Sequence, residues 1–154
     1  MMKLVPTLAL ALAFTAGIAV SPLAQQLLPS AQAQAPGLTP MIIDIAAIKE
    51  ADLPTTPNPD LRSKGLLATE QGTIAVQMGN VAKHFHSDAN EIQYIVEGTG
   101  TGWLGDKKID LRPGLLIIIP KGTHHAGTEQ ATGRFKALAI KLPPQSPTDT
   151  TFVK

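Results

Sequence analysis

The sequence contains no cysteine. That excludes a disulfide framework, a thiolate metal site and a cysteine nucleophile, and it leaves the redox compartment undecided, because exported proteins need not carry disulfides. Any metal site must therefore be built from nitrogen and oxygen. Aromatic residues are scarce, at 4% of the chain, with Tyr94 and Trp103 the only Tyr and Trp. Charge is sparse too: 13 Lys and Arg stand against 12 Asp and Glu, for a net charge of +1. No basic patch exists, so nucleic acid is not an expected partner. There is no Gly-x-Ser-x-Gly and no phosphate-cradling loop of the Walker type. Helical patterning is nearly absent outside the first residues.

The one long apolar run is Leu4 to Val20, behind the positive start Met1-Met2-Lys3 and ahead of Ala31-Gln32-Ala33. This is the layout of a secretory signal peptide. The alternative, a membrane anchor, is weakened by Pro6 and Gly17, which interrupt a run already short for a span of about 20 residues. Cleavage is expected after Ala33 or Ala35, with Pro36 favouring the earlier site. The mature chain then has a net charge of about zero, no stable membrane span, and a periplasmic or extracellular location.

Glycine and proline are plentiful, 13 of each, and they divide the remaining chain into short apolar segments at intervals of about 8 to 12 residues, the spacing of a β-sandwich or barrel. Residues 34–61 form an N-terminal extension. Within it Met41 to Ile48 suggests an edge strand able to pair with a second copy, which leaves a homodimer open. Residues 54–60 hold three prolines and must be loop. Strands are expected over Lys64–Thr69, Thr73–Met78, Val81–His86, Glu91–Glu97, Thr101–Leu104, Lys107–Leu111, Leu115–Ile119 and Arg134–Leu142. Leu115–Ile119 is continuously apolar, as in a strand covered on both faces. Residues 143–154 suggest a loose tail.

All four histidines sit in two stretches, Gly79–Glu91 and Gly114–His125. On a strand, His84 and His86 point to one face and Phe85 to the other. A carboxylate and a third imidazole from a neighbouring strand would complete a mixed nitrogen and oxygen cage of the kind borderline divalent metals accept. Glu91, Gln93 and Ile95 share one strand face, while Tyr94 faces away.

These stretches resemble the two motifs of the cupin superfamily. The first is a Gly, His-x-His, four residues, Glu, six residues and Gly, matched by Gly79, His84, His86, Glu91 and Gly98. The second is Gly, five residues and Pro-x-Gly-x-x-His, matched by Gly114, Pro120, Gly122 and His125. Gly79 lies one residue closer to His84 than the pattern has it, and Glu129 stands where the family often has Asn. The resemblance covers roughly residues 62–142. It implies an all-β, double-stranded β-helix (jelly-roll) barrel of one domain, with His84, His86, Glu91 and His125 holding one divalent transition metal: Fe, Mn, Ni, Cu or Zn. The motif spacing selects His125 over His124, and Glu91 over Glu97. Gln93, Ile95 and Trp103 are candidates for the pocket lining, and Lys121 and Arg134 for contact with an anionic substrate. The implied function is a metal-dependent enzyme of oxygenase or related type acting on a small oxygenated compound. The alternative is a non-catalytic protein that binds a metal or small ligand.

Overall fold

The computed structural model describes residues 38–153, so the expected signal peptide lies outside the described residues. A single turn of 3-10 helix, Glu50–Asp52, precedes eight strands: β1 Leu61–Ala68, β2 Thr73–Gly79, β3 His84–His86, β4 Asn90–Leu104, β5 Lys107–Leu111, β6 Leu116–Ile119, β7 His125–Leu142 and β8 Thr150–Phe152. Every pairing is antiparallel. No helix among the described residues is long and apolar enough to cross a membrane.

The long strands β4 and β7 pair along nearly their whole length, from Asn90↔Leu142 to Leu104↔His125. The first half of β4 carries β6 on its other edge, and the second half carries β5. Likewise β7 takes β3 near its start and β2 near its end. The result is a curled sheet with two runs, β1-β2-β7-β4-β6 and β8-β3-β7-β4-β5, that share their central pair. This is the expected jelly roll. The expected break at residues 98–100 is a bend inside one strand, with register shifts between Ile95 and Gly100. Gly98 makes the bend at φ +89°, and a Cβ there would lie 2.9 Å from the Arg134 carbonyl oxygen. Bulged strands bend and twist in this way.

Alternation along the strands fills the interior. Ile95, Leu111, Ile117, Ile119, Phe135 and Ala137 form a buried cluster. Leu116 and Ile118, by contrast, lie on the outer face at 61% and 55% exposure, beside half-exposed Tyr94. The expectation that Leu115–Ile119 is covered on both faces is therefore wrong. An unbroken apolar run does not show whether its second face is covered.

Met41–Ile48 is not a strand either. It is coil with one turn, in which the Ala47 N–H donates to Asp44 Oδ1 and the Ile48 N–H to the Ile45 carbonyl. Its apolar residues serve a different purpose. Ile45, Ile48 and Leu53 pack on Val76, Met78, Leu66 and Leu138, closing a second core. The extension is thus a strap across the face of β2 that points away from the first cluster. Leu53 is 2% exposed, so Leu53→Ala is expected to cost about 2–5 kcal/mol, measured as a lower urea midpoint at unchanged slope.

The C-terminal residues are not loose. β8 pairs with β3 over His84↔Phe152, Phe85↔Thr151 and His86↔Thr150, and Asp149 is buried. The prolines at 143 and 144 end β7 but do not stop the chain from returning to the barrel.

Candidate metal centre

β3 is only three residues long, but both of its edges are paired, to β7 and to β8. That fixes His84 and His86 with their rings inward, both at 5% exposure or less. Phe85 points outward and packs its ring 5.3 Å from that of His124. The turn Pro120-Lys121-Gly122 delivers His125 directly opposite His84 in the β3–β7 register, and the Gly122 N–H donates to the His86 carbonyl. Glu91 arrives from β4 and is 2% exposed. One donor atom from each of His84, His86, Glu91 and His125 lies within 4.8 Å of all the others.

The ring orientations follow from what each outer nitrogen faces. His84 Nδ1 lies 2.8 Å from the Ala82 carbonyl oxygen, and His125 Nδ1 lies 2.9 Å from that of Thr123. A carbonyl only accepts, so both Nδ1 atoms carry hydrogen, and in the neutral ring Nε2 is a bare lone pair. His86 Nδ1 faces the Thr150 hydroxyl at 3.5 Å and the Asp149 carboxylate at 3.9 Å. Outer-shell oxygens that fix a tautomer in this way are the usual support of metal-binding histidines. Glu91 is oriented too: Gln93 Nε2 donates to Oε1 at 2.8 Å, which leaves Oε2 to face His86 Nε2 and His125 Nε2, each at 3.1 Å. A carboxylate oxygen 3.1 Å from a bare imidazole lone pair is repulsive unless a cation lies between them. The donor set therefore fits a metal ion.

A cation already reaches these atoms. Lys141, on β7 directly opposite Glu91 in register, donates from Nζ to Glu91 Oε2 and to His86 Nε2. It is 6% exposed. Burial pushes its pKa below the ordinary lysine value, against the opposing pull of Glu91. Burial raises that of Glu91, but its contacts with His125 and His86 and the charge of Lys141 hold its carboxyl well below the usual range. Burial, and then the neighbouring His125, lower that of His84 from 6.5 to about 4. Burial also raises that of Asp149, yet the backbone N–H groups of Asp88, Ala89 and Ser87 outweigh it and keep the carboxyl low. Those bonds, at 2.7 Å to Asp88 and 3.2 Å to Ala89, pin the loop between β3 and β4.

His84, His86 and Glu91 border a cavity of about 610 Å³, whose lining includes Thr56, Asn58, Ser63, Gln77, Gln93, Gln145, Thr150 and Lys141. A tight inner cavity of about 60 Å³ continues past Gln93 and His125 to Ile95, Trp103, Ile117 and Phe135. Gln93, Ile95 and Trp103 thus all line the interior. His124 is half-buried on the outer side of the barrel, and Glu97 pairs with Lys136 at 2.9 Å. The two cations considered for an anionic substrate are elsewhere: Lys121 is exposed on its turn, and Arg134 binds Glu50 Oε1 and the Asp60 carbonyl. Lys141 is the cation at the site. The alternation Phe135, Ala137, Ala139, Lys141 along β7 places it inward and was the available signal.

The cupin domain profile matches residues 72–141. That span contains the complete donor set. Residues 72–141 are a cupin domain. It is 34% identical over 71 residues to an uncharacterised protein of Methanocaldococcus jannaschii, a match over 46% of this chain and 57% of the relative, so the chain spans little more than half of that curated relative. Among solved structures, this cupin is similar to an uncharacterised protein with a double-stranded β-helix domain from Klebsiella pneumoniae, at TM-score 0.59, 14% identity and coverage of 75% and 99% of the two chains. The nucleoside dehydratase Pac13 of Streptomyces matches at TM-score 0.55 and 14% identity, over 69% of this chain and 88% of that one. KdgF of Halomonas matches at TM-score 0.51 and 20% identity, over 58% and 84%. At these identities the likeness is one of fold.

Proposed function

We propose that this cupin is an exported metal-binding protein whose centre activates a small oxygenated compound in the cavity above it. The observation that carries the reading is the convergence of three imidazoles and one carboxylate oxygen, with two Nε2 lone pairs turned inward by main-chain carbonyls. His84, His86, Glu91 and His125 would hold the ion, a divalent transition metal. When bound, the ion supplies a Lewis acid or a redox centre. The chain's own residues do the rest. Gln93 fixes Glu91, the Ala82 and Thr123 carbonyls fix two rings, and the apolar inner wall from Ile95 to Phe135 excludes water from one side. Export rests on the signal-peptide pattern of residues 1–33.

Outside the donor set, Lys141 is the sole titratable side chain among the described residues that line the outer cavity. That favours reactions in which the metal polarises the substrate and one side chain at most moves a proton. The same scarcity of acid and base groups supports a second reading, capture of a metal or small ligand without turnover.

Elemental analysis of the mature protein from its native compartment tests the centre. The expected result is close to one transition metal per chain, lost in His84→Ala/His86→Ala. Absence of metal from both proteins would sink it. With metal present, turnover across small diols, diketones and phenols separates the enzyme from the binder.

A further inference from the structure

We propose that Lys141 makes the cavity above the centre a site for a small carboxylate, whose negative oxygens are shared between the centre and Lys141 Nζ. The inference rests on the metal reading and names the substrate class of that same site. Its basis is the competition between two cations for the same two atoms. Lys141 Nζ now occupies Glu91 Oε2 and His86 Nε2, both members of the donor set. Were a divalent ion held there, both atoms would be drawn from the ammonium to the ion. Lys141 would stay buried, on a backbone held near the end of β7 by pairing with both β2 and β4, and would have lost its anion.

Among the described residues, no other anion lies within ion-pair distance of it. Asp149 is the other buried carboxylate nearby, but the Asp88 and Ala89 N–H groups hold it. The remaining polar lining of the cavity consists of neutral hydroxyls and amides such as Thr56, Asn58, Ser63, Gln77, Gln145 and Thr150. Imidazoles bind metals as neutral ligands, so a loaded centre would set the ion's two positive charges and the ammonium against the carboxylates of Glu91 and, farther off behind His86, Asp149, which still leaves positive charge in excess. Excess positive charge behind low-dielectric walls is costly and is relieved by an anion. A carboxylate offers one oxygen to each cation, and a cavity of about 610 Å³ is within the usual range for a small ligand. The hydroxyl and amide groups of the lining suit a carboxylate that carries further oxygens.

The test uses the full mature protein as wild type, Lys141→Met and, as a charge-matched control, the exposed Lys121→Met. Each is loaded with metal, and its metal content is measured first. Each is then titrated calorimetrically with glycolate and with ethylene glycol, which keeps adjacent oxygens but lacks the charge. The expected result is equal metal content in all three, glycolate binding weakened about tenfold or more in Lys141→Met alone, and ethylene glycol binding unchanged. Unchanged glycolate affinity in a metal-loaded Lys141→Met overturns the assignment and leaves the centre standing. An equal loss in Lys121→Met also overturns it, because the effect is then long-range charge. Lower metal content in Lys141→Met overturns it by making the lysine a support of the donor set. Wild-type protein that takes up no metal brings down the centre and this inference together.

Discussion

Glu91→Ala is expected to be the most damaging single substitution in the barrel, costing the metal-free protein about 3–5 kcal/mol. The carboxylate is 2% exposed, accepts from Lys141 and Gln93, and lies against the ring nitrogens of His86 and His125. Removing it leaves the Lys141 ammonium buried without an anion, and breaking a buried pair from one side costs far more than removing both partners. Glu91→Ala/Lys141→Met should therefore recover most of the loss, since methionine fills much of the lysine volume without a charge. Urea unfolding of the four proteins of this cycle measures it. The pH dependence has a definite sign as well. A lysine whose folded pKa lies below its unfolded value binds fewer protons when folded. Stability therefore rises with pH between the two values, and Glu91→Ala should regain stability as the pH climbs toward the ordinary lysine range. A loss below about 1 kcal/mol with the fold intact, or no recovery in the double variant, would show that the Lys141–Glu91 pair does not carry this energy.

The same pair shows where sequence reading stops. The two histidine motifs, the turn glycines and the alternation Glu91, Gln93, Ile95 depend on local chain geometry, so the barrel and the donor set were legible. Lys107–Leu111 emerged with its bounds unchanged because a Gly-Asp turn on one side and Arg-Pro-Gly on the other punctuate it. Contacts that depend on non-local register were not legible. Lys141 meets Glu91 only because β4 and β7 pair in one particular register, and two strands 50 residues apart carry no local mark of that pairing. β8 was hidden for a related reason: Pro143 and Pro144 signal an ending, and nothing in Thr150–Phe152 announces the open edge of β3 that it covers. In the N-terminal extension, apolar content suggests a strand, but hydrophobicity demands burial without specifying backbone conformation. Ile45 and Ile48 satisfy the demand from a turn.

Acid should unfold the metal-free protein through His84. Its pKa falls from 6.5 to about 4, first because the ring is buried and then because His125 lies close by; the bond to the Ala82 carbonyl pulls weakly the other way. A histidine depressed in the fold binds fewer protons there than in the unfolded chain throughout the window from 6.5 to about 4, so stability is full above that window and declines as the pH falls through it. The shift corresponds to a loss of about 3 kcal/mol by pH 4. Glu91 adds to the decline in the same direction, since a carboxyl held well below its ordinary range contributes stability that disappears as the pH approaches its folded pKa. Both groups belong to the donor set, so protons and metal compete for the same atoms. Saturating metal should consequently raise the melting temperature strongly at pH 7 and far less at pH 5. Replacing His84 by Gln, which keeps a polar group against the Ala82 carbonyl, should flatten the decline in the metal-free protein between pH 6.5 and 4 and remove most of the stabilisation by metal. Thermal melts of both proteins at pH 7, 6 and 5, with and without metal, measure each effect. A wild-type melting temperature that stays constant from pH 7 to 5 without metal would rule out His84 as the acid-sensitive group.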